Sequence, residues 1–501
     1  MNFSSLYSSI SFIKPEITIS ITLILLVVFD LIFQKKKTII PIIALLGLFI
    51  SGIFVINELY RSGFAFSLGN KRFGMVTIDS FGSYFKLLVI VTSILIVFFS
   101  YSSSEIQKVK DRLGEYYVLL FGMILGMLFL ISSSDLILIY LSMELLSLSS
   151  YVLAGFTKLR DRNSEASLKY LIFGAVSSGT MLFGISLIYG LLGSTNLYDI
   201  NIALRALNVD WFTFYFAVLL MFVGIGYKIS AVPFHFWTPD VYEGAPISIT
   251  AFLSVASKAA GFAFLIRILK TALVSGVEPD GTWQMIHSFD WKTLIAILSV
   301  LTMTLGNFTA LWQNNLKRML AYSSVAHAGY LLLGVAVLSD IGVESVLIYF
   351  AFYMLMNIGS FYIVMLIANK TGSEDINDYN GMGYATPFLG VSFAIFLVSL
   401  IGLPPTAGFI GKLYVFIALI NSKMVILAVI AVINSVVSLY YYIRVLKHMF
   451  LTKSEKPLEK FKISLPNKVF VLVLVIPVLV LGIYFTPVVD LAKSCITILG
   501  F

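Results

Sequence analysis

The sequence is poor in charged residues, cysteine and histidine for its length. Only 12% of its 501 residues are charged, whereas 59% are hydrophobic, and the mean hydropathy is +0.96. A soluble domain needs more surface charge, so the composition excludes a soluble protein. One cysteine forms no internal disulfide and cannot supply the roughly four ligands of an iron–sulfur cluster. The four histidines stand singly along the sequence, at His235, His287, His327 and His448. Any redox chemistry would therefore belong to another chain.

Long apolar runs recur from end to end, and each can cross a bilayer as a helix. No polar stretch has the roughly 50 residues of a separate soluble domain. Hydropathy and loop breaks predict an all-α polytopic membrane protein, one integral unit over 1–501 with about 14 transmembrane helices. The predicted cores are 17–33, 38–57, 81–101, 115–133, 136–156, 168–192, 211–231, 248–274, 292–312, 319–338, 343–368, 386–420, 424–446 and 469–489.

The net charge of +8 is typical of basic cytoplasmic loops in a membrane protein, and we expect no nucleic-acid partner. Lysine and arginine collect after spans one, three, five, nine and thirteen. This predicts that these loops are cytoplasmic and that both termini lie outside; the loop with Arg61, Lys71 and Arg72 is an exception. The basic residues are Lys35–Lys37; Lys108, Lys110 and Arg112; Lys158, Arg160 and Arg162; Lys317 and Arg318; Lys453, Lys456, Lys460 and Lys462.

Glu144 stands in the middle of a predicted span, where an ionisable side chain costs at least about 2.5 kcal/mol. Helical spacing puts Tyr140, Ser147 and Tyr151 on its face. Such a polar stripe can hold water and a proton. The alternative is a structural carboxylate bonded to a neighbouring helix.

Lys228 stands in Gly224-Ile-Gly-Tyr-Lys228-Ile-Ser-Ala-Val-Pro233. Because Pro233 lacks a backbone donor and clashes with the preceding turn, the seventh helix should break just after the lysine. Broken helices at membrane depth line cavities or are buried in protein. Burial disfavours the charged form of a lysine and a nearby carboxylate favours it, so Lys228 is a candidate proton carrier. The alternative, a head group reaching the membrane surface, is disfavoured by its distance from the basic loops.

Two further lysines are placed similarly. Lys258 shares a helical face with Thr250, Ser254 and Gly261, which predicts a second polar stripe. Lys412 follows Pro404-Pro405, and this double proline predicts that span twelve consists of two half-helices. Gly411-Lys412 is not a phosphate loop, because Thr406 and Leu413 replace the glycine and the serine or threonine that such a loop requires.

Four other ionisable residues are weaker candidates. His235 and His327 are candidate relay positions, since histidine titrates near neutral pH, although a single histidine is as easily a structural group. Asp240 and Glu243 are candidates for proton uptake at the cytoplasmic mouth, or they cap the next helix.

The two halves of the sequence repeat one pattern. Glu144 precedes Lys228 by 84 residues, and His327 precedes Lys412 by 85. Five spans per unit, an odd number, predict two inverted five-helix repeats with broken helices 7 and 12. The predicted organisation is a three-helix segment (1–110), the first repeat (111–275), the second repeat (285–450) and a C-terminal helix (465–501).

Two motifs resemble a known family. Gly-Tyr-Lys228-Ile-Ser-Ala-Val-Pro-Phe-His-Phe-Trp-Thr-Pro-Asp-Val-Tyr-Glu-Gly-Ala-Pro246 and Leu-Lys-Arg-Met-Leu-Ala-Tyr-Ser-Ser-Val-Ala-His327 resemble the antiporter-like subunits of proton-pumping NADH–quinone oxidoreductase, respiratory complex I. The resemblance covers essentially the whole chain. Lysine at position 412, where subunit M would carry glutamate, and the absence of a long lateral helix make it most similar to the subunit N group.

This resemblance implies a proton-translocating subunit coupled to quinone reduction elsewhere. Glu144 and Lys228 would interact, Lys258 would connect the half-channels and Lys412 would pass protons outward, with His235 and His327 as relay or gating positions. No cofactor is expected on this chain; FMN, iron–sulfur clusters and quinone would reside on other subunits. The partners would be the other membrane subunits and the lipid of a bacterial inner membrane, or alternatively of an organellar energy-transducing membrane.

Two alternative functions remain open from the sequence. A multi-component sodium/proton antiporter or a membrane-bound hydrogenase shares the fold, although Lys412 and the chain length favour the quinone reductase. A membrane scaffold without transport would not need Glu144, Lys228, Lys258 and Lys412 at depth.

Overall fold

The computed structural model describes residues 9–33, 37–67, 73–157, 161–206, 208–287, 289–453 and 462–500. Within them, thirteen helices are long and apolar enough to cross a membrane, or fourteen if the bent pair Ile376–Ala385 and Pro387–Ile401 counts as one span. The expected all-α membrane architecture is therefore confirmed. Several residues of the predicted basic loops lie outside the described residues: Lys35, Lys36, Lys71, Arg72, Lys158, Arg160, Lys456 and Lys460.

Eighteen helices of eight or more residues make up most of the described chain. They are α1 (Lys14–Ile32), α2 (Ile39–Glu58), α3 (Ser80–Ser102), α4 (Leu113–Ser132), α5 (Leu136–Ala154), α6 (Asp161–Leu192), α7 (Leu197–Ala206), α8 (Trp211–Ile229), α9 (Trp237–Gly244), α10 (Ile247–Leu273), α11 (Trp291–Ala310), α12 (Leu316–Ala336), α13 (Asp340–Thr371), α14 (Pro387–Ile401), α15 (Ala407–Asn421), α16 (Val425–Phe450), α17 (Leu465–Ile483) and α18 (Thr486–Ser494).

Two short antiparallel hairpins lie at one end of the bundle, which we call the hairpin end. Strand β1 (Gly63–Ala65) pairs with β2 (Val76–Ile78), and β3 (Val274–Val277) pairs with β4 (Trp283–Met285). The C-terminal segment returns to this end, where Phe81 N donates a hydrogen bond to Thr497 O. The other end of the bundle is called the opposite end.

The helix starts follow from polar residues that stand just before apolar runs. Asp79, Asp135 and Asp290 accept hydrogen bonds from backbone N–H groups in the first turns of α3, α5 and α11. These caps satisfy donors that have no partner within the helix, which matters most where water is scarce.

Burial separates a central group of helices from a peripheral one. The apolar windows of α10, α12 and α13 are 100%, 94% and 83% buried, whereas those of α1 and α17 are each 28% buried. A helix that is apolar all round and also enclosed belongs to the core of a bundle. The central helices α10 and α12 carry Lys258 and His327, so the fold places these residues on its two most enclosed spans.

The packing of the two halves agrees with the predicted repeat, although the repeat itself stays a prediction. Helix α4 packs on α5, and α11 packs on α12. Likewise α6 packs on α8, and α13 packs on α15. Helix α4 ends at the hairpin end, whereas α11 begins there, so these helices run in opposite directions. The predicted single C-terminal helix is wrong in detail, because 465–501 contains both α17 and α18.

Candidate functional site

The first two candidates lie on α5 and on the last turn of α8. Lys228 is buried, and its Nζ donates a 3.1 Å hydrogen bond to Ser147 Oγ. The ammonium thus reaches α5 one turn beyond Glu144, and the carboxylate attracts it through space rather than by direct contact. The expected interaction of Glu144 with Lys228 is therefore indirect.

Glu144 is less enclosed than its mid-span position suggests. It is only partly buried, and its Oε1 has no hydrogen-bond partner among the described residues. Leu141, Leu145 and Leu148 beside it are exposed. Glu144 therefore stands at the edge of an apolar side surface of the chain, with its Oε1 buried.

Lys258 joins the two halves of the chain. Its Nζ donates to the backbone O of Ser324 at 2.7 Å and to Ser324 Oγ at 3.0 Å, and Ser324 lies one turn before His327 on α12. The stem of Lys228 packs against Gly261, one turn from Lys258, where an added Cβ would lie 3.6 Å from Lys228 Cγ. These contacts connect α8, α10 and α12.

The polar stripe predicted around Lys258 stays a prediction. Residues Leu253–Ser257 form a π-helical turn just before the lysine, and such a turn changes the angular spacing of side chains. Thr250 Oγ1 donates to the backbone O of Tyr242, and Ser254 Oγ accepts from Asn357 on α13. Lys258 donates to Ser324 on α12.

His327 lies between α13 and α16. Its Nδ1 is 2.7 Å from the hydroxyl of Tyr349, and its Nε2 is 3.4 Å from the hydroxyl of Tyr442. The imidazole is fully enclosed and both ring nitrogens have hydroxyl partners. This arrangement lets the ring exchange one tautomer for the other as the hydroxyls rotate.

Lys412 lies just beyond the break between α14 and α15. Its Nζ donates to the backbone O of Ile401 at 2.7 Å and to Ser435 Oγ at 2.9 Å. It also lies 4.6 Å from the ring centroid of Tyr330, one turn beyond His327 on α12. Glu144, Lys228, Lys258, His327 and Lys412, which we call the central series, thus follow one another through both halves, connected by the side chains between them.

His235 lies in the segment between α8 and α9. It is buried, and its Nδ1 has no hydrogen-bond partner among the described residues. Its imidazole interacts electrostatically with the charge of Lys258. His235 is therefore beside the central series rather than a link in it.

Asp240 and Glu243 form ion pairs at the opposite end. Arg318 Nη1 lies 2.6 Å from Asp240 Oδ1 and 2.9 Å from Glu243 Oε2, and Lys169 Nζ lies 2.6 Å from Asp240 Oδ2. Burial raises the pKa of Asp240, but hydrogen bonds from Lys169 and Arg318 and their charges hold this pKa below its usual value. Asp240 is thus an anion that braces α9 against α6 and α12.

Neither of these carboxylates caps the following helix. The first backbone N–H of α10, that of Ile247, donates to Glu105 Oε2 at 3.1 Å. The capping alternative for Asp240 and Glu243 is therefore wrong, and proton uptake at these residues stays a prediction.

The buried basic residues fall into two classes. Four of them lie within 3.3 Å of a carboxylate: Lys86, Arg267, Lys270 and Lys317. Of these the sequence reasoning named only Lys317, which it assigned to a basic loop and which is buried. By contrast, Lys228, Lys258 and Lys412 donate to serine hydroxyls or backbone carbonyls in the part of the chain that the structure describes. A lysine without a contacting counter-ion loses its proton far more readily than a paired one.

No group of three or more histidine, cysteine, aspartate or glutamate residues able to hold a metal ion occurs within the described ranges.

Comparisons with known proteins agree over nearly the whole chain. The family model described as "NADH:quinone oxidoreductase/Mrp antiporter, TM" matches residues 133–438. A relative from Chloroherpeton thalassium, NADH-quinone oxidoreductase subunit N 2, is 48% identical over 97% of this chain and 94% of its own length. This chain belongs to the NADH-quinone oxidoreductase subunit N family. The resemblance inferred from the lysine-containing motifs is thereby confirmed.

Other similar proteins place this subunit N family member in a wider group of folds. A subunit N from Chlorobium chlorochromatii is 44% identical over 99% of this chain and 96% of its own length. A chain of respiratory complex I from Thermus thermophilus matches with a TM-score of 0.76 and 28% identity, covering 96% of this chain and 100% of that one. The Mrp complex of Dietzia has a TM-score of 0.84 but only 19% identity, which shows a shared fold alone.

Gly402 positions the terminal lysine of the series in this subunit N family member. It has a φ of +87°, and a Cβ there would lie 2.7 Å from Lys412 Cδ. We expect Gly402→Ala to displace Lys412 and to lower proton pumping by the assembled complex at least about threefold, because a lost hydrogen bond weakens its positioning by roughly 1 kcal/mol. Vesicle acidification measured per quinone reduced tests this.

The matched control is Gly372→Ala. Gly372 has a φ of +70°, and an added Cβ meets no heavy atom within 4 Å. Both substitutions carry the left-handed backbone cost of about 1–2 kcal/mol, but only one touches Lys412. An equal loss of pumping in both variants would assign the effect to backbone strain.

Sequence reasoning missed several partners of the central series. Ser324, Tyr349, Tyr442 and Ser435 supply its hydrogen bonds. Ser324 stands one helical turn from His327 and was detectable by its spacing. Tyr442 and Ser435 lie more than 100 residues away from His327, and no local pattern connects them.

Proposed function

We propose that this chain is a proton-translocating membrane subunit of NADH–quinone oxidoreductase and that protons move along the central series. The observation that carries the proposal is the class of buried lysines that bond to neutral acceptors. Each can lose its proton without leaving a contacting carboxylate unpaired. Membership of the subunit N family supports the same function.

The steps follow from the contacts. A proton on Lys228 interacts with Ser147 and with the more distant Glu144 charge. Loss of that proton removes a positive charge beside Gly261 and so favours protonation of Lys258. Lys258 reaches Ser324 beside His327, which contacts two tyrosine hydroxyls. Lys412, above the Tyr330 ring, is the last lysine before the hairpin end.

The electron-transfer groups belong to other subunits in this proposal. FMN, iron–sulfur clusters and quinone would be held there, and this chain would respond to their reduction through its charges. Lysine protonation is sensitive to nearby charge in a medium of low dielectric constant, which provides the coupling.

The membrane partners follow from the position of Glu144. Glu144 is flanked by exposed leucines, and its buried Oε1 has no hydrogen-bond partner among the described residues. Another membrane subunit of the complex would cover this apolar surface. The relatives come from bacteria, so the bacterial inner membrane is the proposed location.

The test uses Lys258→Met in the purified native complex. Methionine keeps the length of the side chain but binds no proton, so we expect proton pumping to fall at least about tenfold, within the range of a lost proton-transfer group. Assembly should be preserved because the bonds of Lys258 are to neutral groups. Vesicle acidification and NADH–quinone activity are measured together.

Lys468→Met is the control, since Lys468 is exposed in the first turn of α17 and should tolerate the change. Full pumping by Lys258→Met would favour the scaffold function and contradict the proposal. Copurification of the wild-type chain without any quinone reductase activity would instead favour the sodium/proton antiporter or hydrogenase.

A further inference from the structure

Three charged side chains meet in the N-terminal helices, away from the central series. Lys86 Nζ on α3 lies 2.6 Å from Glu16 Oε1 on α1 and 3.1 Å from Glu58 Oε2 on α2. Lys86 and Glu16 are almost completely buried, and Glu58 is nearly so. Two carboxylates therefore share one ammonium group within the helix bundle.

The charges of this cluster do not balance when all three groups are ionised. Two carboxylates and one lysine leave a net charge of −1 in a buried place, which is costly. Two carboxylates that share a site usually keep one proton between them. Glu16 Oε2 is buried and lacks a hydrogen-bond partner among the described residues, so no other donor compensates the second negative charge there.

A small cavity adjoins one of the two carboxylates. Its volume is about 70 Å³, and it is lined by Ser11, Lys14, Phe54, Asn57, Glu58 and Arg61. The cavity opens at the hairpin end, where α1 begins and α2 ends. Glu58 thus stands between the fully buried Glu16 and a polar opening large enough for water.

The other charged groups near the cluster are few. Lys14 precedes Glu16 by two residues on α1, and Arg61 follows the end of α2; both face the cavity. Helix α4, which also packs on α1 and α2, carries Glu115 at the opposite end. Lys14 and Arg61 make the cavity mouth positive and thereby favour release of a proton from Glu58.

We propose that Glu16, Glu58 and Lys86 form a second proton-binding site, which holds one proton on the carboxylate pair and exchanges it with the hairpin end through the cavity. On release, the proton passes from a Glu58 carboxyl oxygen to water, giving a carboxylate and a hydronium ion. The charge of the cluster then changes from zero to −1. The central series takes no part in this exchange.

The experiment is carbodiimide labelling of the native complex, which modifies protonated carboxyl groups, with mass spectrometry of each glutamate. We expect Glu58 to be labelled more than Glu278, an exposed carboxylate near the β3–β4 turn, and its labelling to fall with rising pH. Glu16→Gln removes the competing carboxylate and should lower Glu58 labelling about tenfold, because Glu58 then no longer shares a proton with a second carboxylate.

Three outcomes would overturn the proposal. Glu58 labelling equal to that of Glu278 would show an ordinary ionised carboxylate. Unchanged Glu58 labelling in assembled Glu16→Gln complex would show that the two carboxylates do not share a proton. If Glu16→Gln does not assemble, the wild-type pH series decides, because labelling independent of pH contradicts exchange. Lys258→Met should leave Glu58 labelling unchanged, so failure of the central series is distinguishable.

Discussion

Replacing Lys228 by alanine should remove coupled proton pumping while the complex still assembles. Among the described residues, the ammonium donates only to Ser147 Oγ, at 3.1 Å, so truncation leaves one hydroxyl that can turn to another acceptor. The lost step is proton transfer, for which a decrease on the order of a hundredfold is typical. Quinone reductase activity should fall with pumping, because the two are coupled.

Lys228→Arg separates charge from proton exchange. Arginine keeps the positive charge but does not release its proton in a protein, so this variant should also lose pumping. Full pumping by Lys228→Arg would show that only a fixed charge is needed. Loss of the assembled complex in both variants, measured by copurification of the other subunits, would show instead that Lys228 is structural.

The largest expected effect on stability is that of Arg267→Met. Arg267 is fully buried and forms two hydrogen bonds with Asp79, at 2.7 and 2.8 Å, and a third with the backbone O of Ile131. Removal of the guanidinium leaves Asp79 buried and unpaired, which costs about 3–5 kcal/mol. We expect less assembled complex and a lower unfolding temperature in detergent.

The double variant Arg267→Met with Asp79→Asn tests the cause. Asparagine removes the unpaired charge yet still caps α3 through its side-chain oxygen. Part of the lost stability should therefore return. If the double variant is as unstable as the single one, the loss comes from packing rather than from the buried charge.

Composition and hydropathy predict the architecture because lipid restricts the chain to helices. Since proline cannot continue a helix, Pro233 and Pro404-Pro405 also predict breaks after Lys228 and within span twelve; that these form broken transmembrane helices stays a prediction. In the structure α8 ends at Ile229, and α14 and α15 are separated by residues 402–406. These local rules place the lysines at depth and beside the breaks.

Contacts between distant parts of the sequence were not predictable in the same way. Lys86 and Glu58 are 28 residues apart, and Arg267 and Asp79 are 188 apart. The same depth argument that selected Lys228 applies to Lys86 and Arg267, but one sequence does not show which carboxylate reaches them. The distinction between paired and unpaired lysines therefore required the structure.

The π-helical turn Leu253–Ser257 has a consequence for Lys258. Such a turn holds about one residue more than an α-helical turn, and each residue of an α-helix turns the chain by about 100°. Tightening the turn to α-helical geometry would rotate the residues after it and swing Lys258 away from Ser324. In the proposed pathway, the backbone hydrogen-bond register of this turn therefore determines whether Lys258 faces Ser324 on α12.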